Sequence, residues 1–231
     1  TLPEASGLDS EMFSITIGQD LGGVGGWLFK SLGKSLSDLG AKLGVLARSK
    51  VSQSWAWTAA YNMTDGVELN KIGFSNGTSY ATAENLGILT QLNTYAYCFL
   101  RKITDYVGTF NNQPNTATLE SSDYRFINLV RTIQKAGRLE KFSMTPYESS
   151  PVKLLPNGEL SDLSIETFRT AINQQLDIMI NNEELSSYDV LIDPSQLILQ
   201  TNEVAITVEL QPYGTADFIK ITNKYVLSIT N

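Results

Sequence analysis

The apolar residues of this chain change period late in the sequence, and that change restricts the fold more than any other feature. Ile165, Phe168, Ile172, Leu176 and Met179 recur every three or four residues, the spacing of one helix face. Ser161, Asp162 and Ser164 precede them as candidate caps, with Glu166 in the first turn, where the helix dipole favours an anion. Further on, Val204, Ile206, Val208 and Leu210 alternate with Ala205, Thr207, Glu209 and Gln211, the period of a half-buried strand. A short strand is expected at 190–193, stopped by Pro194. After the turn residues 212–214, Ile219, Ile221, Tyr225, Leu227 and Ile229 alternate with Lys220, Thr222, Lys224 and Ser228, predicting a second long strand over 217–231. Both periods in one chain require an α/β protein: a mixed sheet flanked by helices, ending in long antiparallel strands. The last strand either completes a hairpin with 204–211 or adds to a neighbouring copy's sheet, and the sequence leaves both open. Its apolar positions Ile219, Ile221, Tyr225, Leu227 and Ile229 are the candidate subunit contacts.

Upstream, 12–17 reads as a short strand and the glycine-rich 18–26 as a tightly turning connection. From 27 to 51, Leu28, Leu32, Leu36, Leu39, Leu43 and Leu46 predict one amphipathic helix. Gly33, Gly40 and Gly44 weaken it, and they leave room for another backbone to approach. Short strands or turns are expected at 54–61 and 66–74, a helix at 83–92 and a buried strand at 95–103. The turn-rich stretch 111–122 (NNQPNTATLESS) divides the chain into two regions, 12–113 and 114–231. Asp123 is the expected cap of a long helix whose Ile127, Val130, Ile133 and Gly137 face one way. Arg131, Lys135 and Arg138 face another, read as a solvated surface. A proline-bearing loop follows at 145–158.

Composition removes most catalytic chemistry. With no histidine among 231 residues, histidine general bases, the Ser-His-Asp and Cys-His arrangements and histidine metal ligands are all excluded. The single Cys98 rules out an internal disulfide or a thiolate cluster, and its apolar neighbours mark it as a buried hydrophobe. Gly33-Lys34-Ser35 ends like a phosphate-binding loop. The glycine required five positions before Gly33 is Leu28, and Trp27 and Phe29 crowd the loop. Glu183 and Glu184 are expected to solvate a helix end, and nothing in the sequence brings Asp105 to Asp123. No catalytic, cofactor or metal site is therefore expected. A net charge of −7 argues against nucleic acid as a partner, and no apolar run reaches the length of a membrane span.

Several ordered motifs carry a resemblance. TDYVGTF (104–110), AT (117–118), SDY (122–124), RTIQKA (131–136), LPNGEL (155–160), VLIDPSQ (190–196) and VELQPYG (208–214), with LGAKLGVLA (39–47) and KVSQS (50–54) upstream, are similar to contractile tail-sheath proteins of phages and phage-derived injection machines. More narrowly, they resemble the sheath-like family of Bacteroides-type elements and Mu-like phages. The resemblance implies a structural subunit without catalysis or cofactor. It would be made in the bacterial cytoplasm and built into a virion tail or injection particle. Its implied partners are copies of itself, an inner tube protein and baseplate components, in six-membered rings stacked around the tube. Another tail or baseplate module is the alternative. Family members carry more chain upstream, so a longer native chain is expected before Thr1.

Overall fold

The computed structural model describes residues 3–217 and 219–222. Within the first region, β1 (Ile15–Thr16), β2 (Gly18–Asp20), α1 (Gly23–Leu32), α2 (Leu39–Arg48) and β3 (Ile72–Phe74) come first. Then follow α3 (Tyr80–Asn85), α4 (Ile88–Thr94), β4 (Tyr97–Cys98), β5 (Leu100–Ile103) and β6 (Tyr106–Asn111). The second region holds α5 (Ile127–Met144), α6 (Asp162–Asn181), β7 (Leu185–Leu191), α7 (Ile198–Thr201) and β8 (Thr207–Pro212). The class is mixed α/β, with the strands arranged in small two-stranded sheets. β1 pairs with β4 in parallel; β2–β3, β5–β6 and β7–β8 are antiparallel.

Two expected helices are each broken in two, for the same reason. Gly33 adopts φ 62°, a left-handed conformation that ends α1, and Gly87 does so at φ 67° between α3 and α4. The cluster at 22–26 is not a loose connection. Its glycines form the first turn of α1, packed so tightly on the incoming chain that a Cβ at Gly25 would lie 2.7 Å from the carbonyl oxygen of Asp20, the last residue of β2, and one at Gly26 would lie 2.3 Å from that of Leu21. The cluster supplies both properties: Gly23 turns the chain at φ 46°, as expected, and the absence of side chains at Gly25 and Gly26 permits the close approach.

The second region has the larger apolar core. Ile165, Phe168, Ile172, Leu176 and Met179 are all buried, as the spacing requires, and Ser161 Oγ accepts from the Ser164 amide as the cap. They meet Ala136 of α5 and Leu185 and Val190 of β7, with Val204, Ile206, Val208 and Leu210 half-buried against the same cluster. Each fully buried aliphatic or aromatic side chain contributes about 1.5–3 kcal/mol here. On α5 the inward face matches the expected one at its start, where Val130 is buried and Ile127 half-buried, and then departs from it. Thr132 and Ala136 are buried, whereas Ile133 and Gly137 are exposed, and the cap position is Phe126 rather than Asp123. The stretch 111–122 is irregular as expected, yet Asn111, Asn112, Asn115, Thr116 and Thr118 are buried. Its amides replace a hydrophobic core with hydrogen bonds, as where Asn112 Nδ2 donates to the Tyr97 carbonyl and Asn112 Oδ1 accepts from the Phe99 amide.

Candidate assembly surface

β7 and β8 form the longest of the four strand pairs, and among the described residues it is open at both edges, as the other three are. β7 follows α6 after a three-residue link and starts five residues earlier than the expected strand at 190. β8 returns antiparallel to it, with Tyr188 opposite Leu210, Asp189 opposite Glu209 and Val190 opposite Val208. One face packs on α6, and Tyr188 Oη donates to Asp177 Oδ1 at 2.6 Å, fixing the hairpin's angle. Burial, with the Asp177 carboxylate beside it, pushes the Tyr188 hydroxyl well above the usual phenol range. Among the described residues neither outer edge of this pair carries a further strand. Such an edge offers an unpaired row of amides and carbonyls to any chain that approaches it.

The exposed face of the hairpin is acidic. Asp189 and Glu209 sit directly across from each other, both exposed, and no ion pair reaches either among the described residues. Like charges at directly opposed positions repel. A cation brought by a third strand would relieve the pair.

The candidate contacts of the terminal segment divide into two groups. Ile219 and Ile221 are 81% and 77% exposed and belong to no strand, and Tyr225, Leu227 and Ile229 lie outside the described residues. Within the described residues β8 pairs with β7, the partner the sequence did not offer. Leaving β8, the chain turns back over the first region, where Gln113 Nε2 donates to Asp217 Oδ2 at 2.8 Å. There it lines a groove of about 1120 Å³ together with Trp57, Phe99 and Arg101.

The basic residues of α5 do not form a solvated face. Arg131 donates to the Leu46 carbonyl at 2.9 Å and to Ser49 Oγ at 2.9 Å, neutralising the C-terminal end of α2. Lys135 pairs with Glu184, which is 5% exposed, and Arg138 alone of the three is fully outward. Glu184 therefore does not solvate the end of α6. Glu183 is exposed and accepts from Lys50 at 2.9 Å, which holds its carboxyl below the usual range. These contacts tie the two regions together. Sequence spacing could not find them, because their partners stand 49 to 133 positions away.

One buried charged cluster stands apart. Lys42 Nζ lies 2.6 Å from Asp38 Oδ2 and donates to Thr16 Oγ1, whose hydroxyl donates to Asp38 Oδ1 at 2.6 Å. Lysine and aspartate are each 1% exposed, and Lys42 also lies 5.5 Å from the centre of the Trp55 ring. The Lys42–Asp38 Oδ2 approach is a charge contact out of line for a hydrogen bond, since that oxygen has no hydrogen-bond donor. Cys98, fully buried beside this cluster, has its thiol pushed up by desolvation. No solute reaches these groups, and their arrangement is that of a structural pair. Lys34 of the Gly-Lys-Ser stretch is exposed beyond the end of α1. Among the described residues no group of three or more Cys, Asp or Glu is placed to hold a metal, and no helix is long and apolar enough to cross a membrane.

Residues 123–230, a little under half of the chain, match the family model described as DUF2586, C-terminal domain. No curated protein matches the chain. Among solved structures, 95% of the chain superimposes on 56% of a chain from the baseplate of the anti-feeding prophage, with TM-score 0.61 and 16% identity. A second likeness covers 61% of this chain and 40% of a chain from the contracted PVC sheath complex of an extracellular contractile injection system, with TM-score 0.50 and 18% identity. The chain thus shares its fold with components of contractile injection particles, and spans little more than half the length of the first of them.

Proposed function

We propose that this chain is the C-terminal part of a structural subunit of a contractile tail or injection particle, and specifically of its sheath. The carrying observation is the β7–β8 hairpin, which presents two outer edges and an acidic face bearing Asp189 and Glu209. The residues that alternate with the apolar positions of the terminal segment include Lys220 and Lys224. A terminal segment from a neighbouring copy, added beside β7 or β8, supplies the missing backbone bonds and the missing cations together. Repeated from copy to copy, this contact builds rings and stacks them around an inner tube. The same reading assigns the protein no catalysis and no cofactor. It puts the protein in the particle's tail, beside the tube and baseplate components.

A place in the baseplate is the second reading, favoured by the greater extent of the likeness to a baseplate chain. The two separate by microscopy of the native particle with antibody label against this chain. Label along the whole shaft, and hollow tubes of stacked rings from the expressed full-length subunit, support the sheath. Label confined to one end, with single rings at most, assigns the chain to the baseplate. A full-length subunit that stays monomeric at high concentration, without label on any tail, overturns both. Paired changes Ile219→Asp and Ile221→Asp test the strand contact: stacking of the full-length subunit into tubes is lost while the protein keeps its thermal transition.

A further inference from the structure

The helix expected from Leu28, Leu32, Leu36, Leu39, Leu43 and Leu46 buries little of that face. Val24, Trp27, Leu32, Leu36, Leu39 and Leu43 are between 43% and 60% exposed, forming an apolar ridge along α1, α2 and the link between them. An apolar ridge of this extent on a chain of otherwise ordinary hydropathy marks an interaction surface. Charge identifies what covers it. Residues 21–48 hold four cations, Lys30, Lys34, Lys42 and Arg48, and one carboxylate, Asp38, which is buried against Lys42. This segment is therefore +3 within a chain of −7, leaving −10 on the remainder. The exposed charges that the segment itself carries, Lys30, Lys34 and Arg48, are all cationic, and the one carboxylate set against it, Glu68, lies at the first turn of α1, where it accepts from the Val24 amide.

The counterpart lies in the same chain. Residues 3–13 contain no cation, and Leu8, Met12 and Phe13 are 59–66% exposed beside exposed Asp9 and Glu11. The segment is held in place rather than loose: Ser10 bridges Ala117, and the Ala117 amide donates to the Phe13 carbonyl at 2.8 Å. We infer that the α1–α2 ridge of one copy seats the apolar and acidic segment Leu8–Phe13 of a second copy. Leucine and tryptophan side chains supply the buried area, and Lys30 and Lys34 facing Asp9 and Glu11 set the register. Gly40 and Gly44 line the exposed side of α2 with open space where a Cβ would stand, so the second copy approaches that helix closely. This contact is independent of strand addition at β7–β8, and adds a second way for copies to meet.

Sedimentation velocity on the chain over a concentration series tests it. The unmodified protein should self-associate, and Leu39→Glu with Leu43→Glu should leave a monomer of unchanged circular dichroism. Lys30→Glu with Lys34→Glu should weaken association about tenfold or more. Adding Asp9→Lys with Glu11→Lys to that variant should restore it, an outcome loss of folding cannot imitate. If the fourfold variant is no better than the twofold one, or if the unmodified chain stays monomeric, the inference falls. It falls also if the ridge instead pellets the protein with vesicles of phosphatidylserine and phosphatidylcholine in a Leu39- and Leu43-dependent way. Ile219→Asp with Ile221→Asp separates the two contacts. That variant should still associate through the ridge; if it alone abolishes all association, the ridge has no part and the strand contact stands.

Discussion

Asp189 lies directly across the β7–β8 hairpin from Glu209, two exposed carboxylates with no cation between them. Opposed like charges cost about 0.2–1 kcal/mol in a strand pair. Replacing either by its amide, Asp189→Asn or Glu209→Gln, should therefore stabilise the isolated chain by that amount in urea denaturation. The second amide should add little once the repulsion has gone. The same substitutions should weaken assembly of the full-length subunit, because the pair that repels in the monomer is what attracts a neighbour's lysines. A destabilised monomer would show that the pair is already compensated.

Lys135 and Glu184 form a pair of the opposite kind. Glu184 is nearly enclosed, and Lys135 on α5 reaches both its carboxylate oxygens, at 2.7 and 2.5 Å. Lys135→Met keeps the aliphatic stem and strands the carboxylate, at a cost of roughly 3 kcal/mol. Changing both members, Lys135→Met with Glu184→Met, should recover most of that loss. Chemical denaturation of the two variants and the parent completes the comparison, and equal losses in single and double variants would show that packing, not charge, sets the effect.

Periodicity made the second region legible because its elements satisfy local rules. Ile165 through Met179 and Val204 through Leu210 each bury the face that their spacing implies, and Ser161 caps as expected. The role of the α5 cations is not legible in the spacing, because a helix wheel shows which residues share a face but not what that face meets. Arg131 finds α2, and Lys135 finds the α6–β7 junction, through tertiary contacts alone. The glycines of 22–26 are only half legible for a related reason. Close approach and tight turning both demand glycine, and here Gly23 turns the chain at φ 46° while Gly25 and Gly26 serve close approach. The α1–α2 leucines obey helical spacing yet stay exposed, since periodicity reports amphipathicity and not whether the apolar side is covered within one chain.

Two alanine substitutions separate those roles. Gly26→Ala places a Cβ 2.3 Å from the Leu21 carbonyl oxygen, so α1 must move away from the link that joins it to β2 and the first region should lose several kcal/mol or fail to fold. Gly137→Ala, in the exposed middle of α5 with no atom within 4 Å of the new Cβ, should stabilise the chain by about 0.5–1 kcal/mol. Thermal unfolding followed by circular dichroism distinguishes them. A neutral Gly26→Ala would mean that the Leu21 backbone yields to α1 without penalty.

Glu140 supplies a pH dependence of unusual sign. It projects from α5 with Oε1 buried and without a hydrogen-bond partner, and desolvation raises its carboxyl above the ordinary glutamate value. In the window between the unfolded value, about 4.3, and the higher folded one, the native state binds more protons than the unfolded state. Stability from this group is therefore complete below the unfolded value and declines as pH rises through the folded one. Most native carboxylates push the other way, so the signature is a difference between variants rather than a maximum in the curve. Glu140→Gln removes the charge that must be desolvated. It should raise stability at neutral pH relative to the parent, and the gain should shrink as the pH falls below the ordinary glutamate range. Urea midpoints measured for both proteins across that range read the difference directly. A gain that stayed constant with pH would assign the effect to packing, and a loss at neutral pH would mean that the ionised carboxylate has a partner.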